Sequence, residues 1–208
     1  MKRLLVLCTA LFSYSSWAEE EPATTLDPVV ITGSRAERSA FDLPFAVSTV
    51  SSGELSSAGA QINLSEALAR VPGIAVNNRG NYAQDLQINS RGFGARAGFG
   101  VRGLRLYSDG IPATAPDGQG QVSHFDLMSA ERIEILRGPF SALYGNSSGG
   151  VISLISHEPE ETRMWVGGST SRFGQRQFRG GAQARFGEYF NARINYSDFS
   201  IEGFRPHS

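Results

Sequence analysis

A glycine-rich motif is the first candidate for a ligand-binding site in this sequence. Residues 98–103 match the G-x-G-x-x-G pattern, which in dinucleotide-binding folds joins a strand to a helix so that the pyrophosphate meets the helix N-terminus. Here a loop rich in Arg and Gly precedes the pattern, and an alternating apolar run over residues 104–107 follows it. Because no helix start follows the glycines, a secreted nucleotide-dependent enzyme is a weak interpretation.

Histidine and carboxylate side chains form no recognisable catalytic or metal-binding set. His124, His157 and His207 are too scattered for a structural zinc site, and Cys8 is the sole cysteine. No spacing places the acidic residues at positions 117–131 on one face. We predict no catalytic residue, no metal, no cofactor and no enzymatic activity.

The charge balance gives no indication of nucleic-acid binding. The chain has 19 basic and 20 acidic residues and a formal net charge of -1, whereas nucleic-acid binding usually requires a basic patch or stripe. Lys2 is the sole lysine, so nearly every cation is an arginine. Guanidinium groups hold carboxylates bidentately and tolerate partial burial better than ammonium groups.

The N-terminus has the organisation of an export signal. Two basic residues precede an apolar run over residues 4–12, and residues 16–18 (Ser-Trp-Ala) form a small-x-small cleavage site. The apolar run is shorter than the roughly 20 residues that span a bilayer. We expect residues 1–18 to be a signal peptide and the mature chain to be exported without cysteine.

Residues 19–40 are predicted to be a disordered segment that carries one strand-forming run. Residues 19–27 are acidic and rich in Pro and Thr, without apolar periodicity. Residues 27–33 (Asp-Pro-Val-Val-Ile-Thr-Gly) then place β-branched residues between turn-formers, which is typical of a strand without a partner. An ordinary edge strand would have the same pattern.

Residues 41–157 combine short strands with helix signals, which predicts a small mixed sheet with short helices. Strands are expected over residues 46–50, 74–76, 86–89, 104–107, 132–136 and 151–155. Asn63 and Glu66 have capping-box spacing before an apolar helical face over residues 64–71. Asp109-Gly110 predicts a hairpin turn.

Residues 158–208 have no helix signals, and apolar and polar residues alternate in them with a period of two. Apolar residues from Phe178 to Phe186 alternate with polar residues from Gln177 to Arg185, and a similar pattern covers residues 190–197. Strands of about ten residues with one apolar and one polar face are typical of a lipid-facing barrel. A half-buried soluble hairpin would alternate in the same way, and the export signal favours the barrel.

Three segments resemble the TonB-dependent receptor family. Residues 27–33 resemble its TonB box, residues 64–74 the first helix of its plug, and residues 131–152 the end of its plug. Residues 81–87, 102–107 and 109–121 are similar to the subgroup that contains the enterobacterial pyrroloquinoline-quinone receptor. The resemblance implies an α+β plug domain over residues 41–157. It also implies the first antiparallel strands, about three, of a transmembrane β-barrel over residues 158–208. Since family barrels have about 22 strands, we expect this barrel to be incomplete and the chain to be a fragment of a longer reading frame or a truncated gene product.

The same resemblance implies energy-coupled uptake of a scarce nutrient across the cell outer membrane. The nutrient would be a ferric siderophore or a small anionic cofactor such as pyrroloquinoline quinone. Expected partners are TonB with its inner-membrane energising complex, outer-membrane lipid and the small-molecule ligand, without nucleic acid. A free-standing periplasmic binding module, or a non-functional truncated receptor, is the alternative.

The resemblance also implies three sets of site residues. TonB is expected to pair with Asp27, Pro28, Val29, Val30, Ile31 and Thr32. Ligand contacts are expected in the apical loops of the plug, from Tyr82, Phe93, Arg96, Phe99, Asp117, Gln119 and Gln121. Arg96 would hold an anion by charge-assisted hydrogen bonds, or would be a solvated loop cation. A plug-to-barrel latch is expected from Arg91, Glu134 and Arg137.

Overall fold

The computed structural model describes residues 30–31, 38–39, 45–78, 80, 82, 84–138, 141–145, 147–187 and 189–203 of the chain. The predicted signal peptide and four of the six predicted TonB-binding residues (Asp27, Pro28, Val29 and Thr32) lie outside the described residues. The described helices are α1 (Ser52–Ala58), α2 (Ser65–Leu68) and α3 (Ser141–Tyr144). The described strands are β1 (Val30–Ile31), β2 (Arg38–Ser39), β3 (Ala46–Ser51), β4 (Ile74–Asn77), β5 (Gln87–Ser90), β6 (Val101–Arg102), β7 (Leu104–Ser108), β8 (Ile111–Pro112), β9 (Gln119–Gly120), β10 (Ala130–Arg137), β11 (Gly150–Ser156), β12 (Arg163–Thr170), β13 (Arg176–Phe186) and β14 (Phe190–Ser200).

A five-stranded mixed sheet in the order β3-β10-β11-β7-β8 organises residues 45–156, which we call the mixed-sheet unit. β10 runs antiparallel to β3 and to β11, whereas β11 runs parallel to β7. β7 and β8 form the predicted hairpin, in which Asp109 and Gly110 adopt φ angles of 50° and 79°. The predicted small mixed sheet with short helices is therefore confirmed.

The core of the mixed-sheet unit lies between one face of this sheet and α2. The predicted apolar helical face is buried in full, with Leu64, Ala67, Leu68 and Val71 each at most 5% exposed. They pack in one cluster with sheet residues such as Ile133. At the helix start, the Asn63 Oδ1 atom accepts from the Ser65 N–H at 2.9 Å, and the Glu66 carboxylate accepts from the Asn63 N–H at 3.1 Å.

Helix α1 is a feature that the sequence pattern did not predict. Its sequence has no apolar periodicity, and Leu55 is the one residue of the helix that is buried. A capping box begins the helix: the Ser51 Oγ atom accepts from the Glu54 N–H, and the Glu54 carboxylate accepts from the Ser51 N–H at 2.8 Å. This exchange satisfies two N–H groups that have no partner within the helix.

Strands β12, β13 and β14 form a separate antiparallel sheet, the three-stranded sheet. Its register aligns Met164 with Ala182 and Ile194, and Val166 with Gly180 and Tyr196. The antiparallel strands predicted after residue 158 are thus present. None of the helices in the described part of the chain is long and apolar enough to cross a membrane.

The two faces of the three-stranded sheet have opposite environments. The apolar face is exposed through Met164, Val166, Phe178, Phe186, Phe190, Ile194 and Tyr196. The polar face packs on the mixed-sheet unit by hydrogen bonds. Gln177 Nε2 donates to the Ala60 carbonyl at 2.7 Å, and Asn195 Nδ2 donates to the Asp126 carboxylate at 2.7 Å.

Candidate functional site

Three of the predicted ligand-binding residues lie together in one open hollow, the β9 hollow. It has a volume of about 350 Å³ and is lined by Ala113, Ala115, Asp117, Gln119, Gly120, Gln121 and His124. Pairing of β6 with β9, through Val101 to Gly120 and Arg102 to Gln119, holds one rim in place. The structure therefore brings Asp117, Gln119 and Gln121 to a single surface.

Arg102 organises the acidic rim of the β9 hollow. Its guanidinium donates to the Gln119 Oε1 atom at 3.3 Å and lies 3.8 Å from the Asp117 carboxylate. Both charged side chains are more than half exposed, so the ion pair contributes little to stability. The Asp117 Oδ1 atom also accepts from the Gln119 N–H at 3.0 Å. These contacts leave the rim polar and accessible.

Tyr82 lies at a second, smaller hollow of about 70 Å³, which is also lined by Asp85. Burial, and then the charge of Glu66, raises the pKa of Tyr82. Its ring makes an edge contact with Phe199 of β14, with centroids 5.1 Å apart. Gln121 Nε2 donates to the Asp85 carboxylate at 2.8 Å, so one hydrogen bond joins the two hollows.

Phe93, Arg96 and Phe99 project from the loop between β5 and β6. Phe93 and Phe99 are 49% and 76% exposed. Arg96 is exposed, and no hydrogen bond or ion pair holds its guanidinium within the described residues. None of the three lines the β9 hollow.

Gln87 is a positioning residue that the sequence interpretation missed. Its Nε2 group donates to the carbonyls of Ala95 and Ala97 at 2.8 and 2.9 Å, which fixes the backbone on both sides of Arg96. Its Oε1 atom accepts from Asn77 Nδ2 at 3.0 Å. A glutamine between apolar strand residues is only a weak sequence signal for such a role, since any strand with alternating apolar and polar residues has polar residues at these positions.

The structure brings together two of the three predicted latch residues. Arg91 and Arg137 meet at Gly73, where the Arg91 N–H donates to the Gly73 carbonyl at 2.9 Å. Arg137 also donates to the Ser48 hydroxyl at 2.9 Å. Burial, and then the charge of Arg91, lowers the pKa of Arg137.

Glu134, the third predicted latch residue, lies on the other face of β10. Successive strand residues point to opposite faces, so Glu134 shares a face with Arg132 and not with Arg137. The Arg132 Nε group donates to its carboxylate at 3.0 Å, and Glu134 is fully buried. The latch function of these residues stays a prediction.

The predicted TonB-binding run is described only at Val30 and Ile31. These residues form β1 and pair antiparallel with β2, Val30 with Ser39 and Ile31 with Arg38. One edge of the run therefore has a backbone partner within the chain.

The glycine pattern at residues 98–103 has a structural explanation. Strand β6 lies within the pattern and strand β7 follows it, so no helix N-terminus is available for a pyrophosphate. Within the described residues, no three His, Cys, Asp or Glu side chains lie close enough to hold a metal ion.

A mixed sheet with short helices, joined to an antiparallel sheet with one apolar face, is the architecture of a plug domain with adjoining strands. The family model for the TonB-dependent Receptor Plug Domain matches residues 39–151. That span is more than half of the chain, and the chain therefore belongs to the family of TonB-dependent receptor plug domains.

Two relatives show how much of a longer protein the chain matches. It is 28% identical to the vitamin B12 transporter BtuB of Vibrio vulnificus (strain CMCP6) over 163 residues, which cover 77% of the chain and 26% of that protein. It is 34% identical to the pesticin receptor of Yersinia pestis over 146 residues, which cover 69% of the chain and 20% of the receptor. The chain thus spans about a quarter or less of the length of these relatives.

Solved structures share the fold. The ferric yersiniabactin uptake receptor FyuA from Yersinia pestis matches with a TM-score of 0.62 and 24% identity, over 77% of this chain and 25% of that one. The copper transporter OprC matches with a TM-score of 0.54 and 19% identity, over 75% of this chain and 24% of that one. These likenesses confirm the predicted fold class.

Proposed function

We propose that this chain supplies the plug and the first wall strands of a TonB-dependent transporter in the cell outer membrane. In this proposal residues 1–18 are the signal peptide and residues 19–40 carry the TonB box at 27–33. Residues 41–157 are the plug, and residues 158–208 begin the wall of the barrel. The protein binds and imports a nutrient and catalyses no reaction.

The observation that carries this proposal is the orientation of the three-stranded sheet. Its polar side chains are used in contacts with the mixed-sheet unit, whereas Met164 and Ile194 of its apolar face are 82% and 70% exposed. A continuous apolar face of this kind is unfavourable in water and is a marker of an interaction surface. In a barrel wall, lipid on the outside would cover the apolar face, and the plug on the inside would contact the polar face.

The nutrient class that the relatives favour is a metal chelate or a vitamin. Their names include a vitamin B12 transporter and a ferric yersiniabactin uptake receptor. The β9 hollow and the β5–β6 loop offer carboxylate, amide, aromatic and guanidinium groups for such a ligand. Pyrroloquinoline quinone, the narrower candidate from the sequence resemblance, gains no support from these relatives.

Energy coupling would use strand addition at residues 27–32. A TonB strand that pairs with this run gains main-chain hydrogen bonds, and the alternate side chains give specificity. Because β2 already pairs with β1 on one edge, a TonB strand would add at the other edge of β1 or replace β2.

The test is the substitution Val30→Pro in the receptor that contains this chain. Proline removes the backbone N–H of residue 30 and so weakens strand pairing at this run. The expected result is loss of labelled-nutrient uptake by whole cells while nutrient binding at the cell surface is retained. Val30→Thr is the matched control, since it keeps both the N–H and the β-branch, and it should transport normally. Unchanged uptake in Val30→Pro would reject the coupling role.

A free-standing periplasmic binding module would behave differently in the same cells. It would fractionate with the periplasm and bind its ligand without membrane. The exposed apolar face of the three-stranded sheet argues against this alternative.

A further inference from the structure

A third hollow lies between the mixed-sheet unit and the three-stranded sheet; we call it the junction hollow. Its volume is about 390 Å³, within the range of roughly 300–1,000 Å³ that is typical of small-molecule sites. One arginine from each strand of the three-stranded sheet lines it: Arg163, Arg179 and Arg193. Trp165 lines it as well and adds an apolar surface.

The hydrogen bonds of these arginines leave their charges without a counter-ion. Arg179 donates to the neutral Gln61 Oε1 atom at 3.0 Å, and Arg193 donates to the Met128 carbonyl at 3.0 Å. Among the described residues, no carboxylate oxygen lies within 4.0 Å of the three guanidinium groups. The Arg193 Nε group is buried and has no hydrogen-bond partner in that part of the chain.

Arg179 and Arg193 are half-buried, and cations that are partly removed from water without an anion are destabilised. A carboxylate or phosphate group would accept from the free guanidinium donors in charge-assisted and bidentate hydrogen bonds. Three converging cations with unused donors and an open volume therefore favour an anionic occupant.

We propose that the junction hollow binds a small anion that bears a carboxylate or phosphate group. The inference rests on the proposed function in one respect: in the receptor, the polar face of the three-stranded sheet must stay against the plug. That face is turned away from the apolar surface, so the occupant is a free solute and not a lipid headgroup.

The experiment is isothermal titration calorimetry of the detergent-solubilised receptor with inorganic phosphate and with succinate, at constant pH and ionic strength. Saturable binding of either anion is expected. Arg179→Gln and Arg193→Gln should each weaken the Kd about tenfold, the size expected for loss of one charge-assisted hydrogen bond. Arg185→Gln is the matched control on β13: its Nε group donates to the Gly187 carbonyl at 3.2 Å, outside the hollow, and binding should not change.

Arg163→Gln keeps the test decisive if the other variants fold poorly. The Arg163 side chain is exposed and makes no hydrogen bond within the described residues, so its loss should leave folding intact and weaken binding severalfold. The proposal is overturned if neither anion shows saturable binding, or if the Kd is unchanged in all three variants of the hollow. This measurement needs no TonB, so its failure is distinct from a failure of nutrient uptake in the coupling experiment.

Discussion

Gly100 and Gly103 adopt φ angles of 60° and 75° on the two sides of β6. A Cβ atom on Gly100 would lie 2.6 Å from the Gly120 carbonyl oxygen, which belongs to the partner strand β9. The glycine spacing therefore serves close backbone pairing at the edge of the β9 hollow and not phosphate binding.

Gly100→Ala is predicted to destabilise the plug. The substitution combines a left-handed backbone with a clash against backbone atoms, and such strain costs about 1–3 kcal/mol. Gly98→Ala is the matched control, since a Cβ atom there meets nothing within 4 Å. Differential scanning calorimetry of the solubilised receptor should show a lower unfolding temperature for Gly100→Ala alone. Equal temperatures for the two variants would contradict the assignment.

The candidate ligand site could be predicted from the sequence only in part. The family resemblance implied Asp117 and Gln119 as ligand contacts, and the β9 hollow does bring these two residues together. The roles of Gln87 and Arg102 could not be predicted, because they depend on contacts between segments that are distant in the chain. Arg102 reaches Gln119 across 17 positions, which no local pattern reveals.

At the scale of elements, the sequence predicts the strands whose residues follow a regular pattern. Strands β10, β11 and β13 contain alternating apolar and polar residues or β-branched residues, and the sequence predicts each of them. The parallel pairing of β11 with β7 has no local sequence signal, since the two strands are joined through a long intervening segment. Helix α1 was missed because capping, not an apolar face, defines it.

The capping box of α1 predicts a dependence of stability on pH. Hydrogen bonds from the Ser51 backbone and side chain lower the pKa of Glu54 below its ordinary value of 4.5. A carboxyl whose folded-state pKa is lowered stabilises the folded state above its unfolded-state pKa. That contribution is lost as the pH falls through the lowered folded-state value.

Glu54→Gln should therefore lower the unfolding temperature of the receptor at pH 6. The difference from the unsubstituted protein should shrink as the pH falls below 4.5, the ordinary value for Glu54. Glu158→Gln is the control for loss of one negative charge, since Glu158 is exposed and makes no hydrogen bond within the described residues. Scanning calorimetry across this pH range is the measurement. A constant difference at all pH values would contradict the role of the ionised carboxylate.

At the scale of the whole molecule, the three-stranded sheet separates two environments. Its polar face contacts the mixed-sheet unit through side chains of β13 and β14, including Gln177 and Asn195. Its apolar face has no packing partner among the described residues, and seven of its large side chains are more than half exposed. In the proposed transporter, hydrocarbon would cover that face and the plug would contact the polar face, so neither face would be left without a suitable environment.

A charge placed on this face tests the arrangement. Ile194 is 70% exposed and lies in the middle of β14, aligned with Ala182 and Met164. In a membrane, Ile194→Arg should cost about 2–4 kcal/mol at the bilayer midplane, and the cost falls to about 0–1 kcal/mol near the interfaces. Asp198→Arg is the matched control, because Asp198 lies on the same face near the end of the same strand. Immunoblots of outer-membrane fractions should show strongly reduced receptor for Ile194→Arg and normal receptor for Asp198→Arg. If both variants reach the outer membrane equally, the face does not contact lipid, because arginine on a water-exposed surface would carry no such penalty.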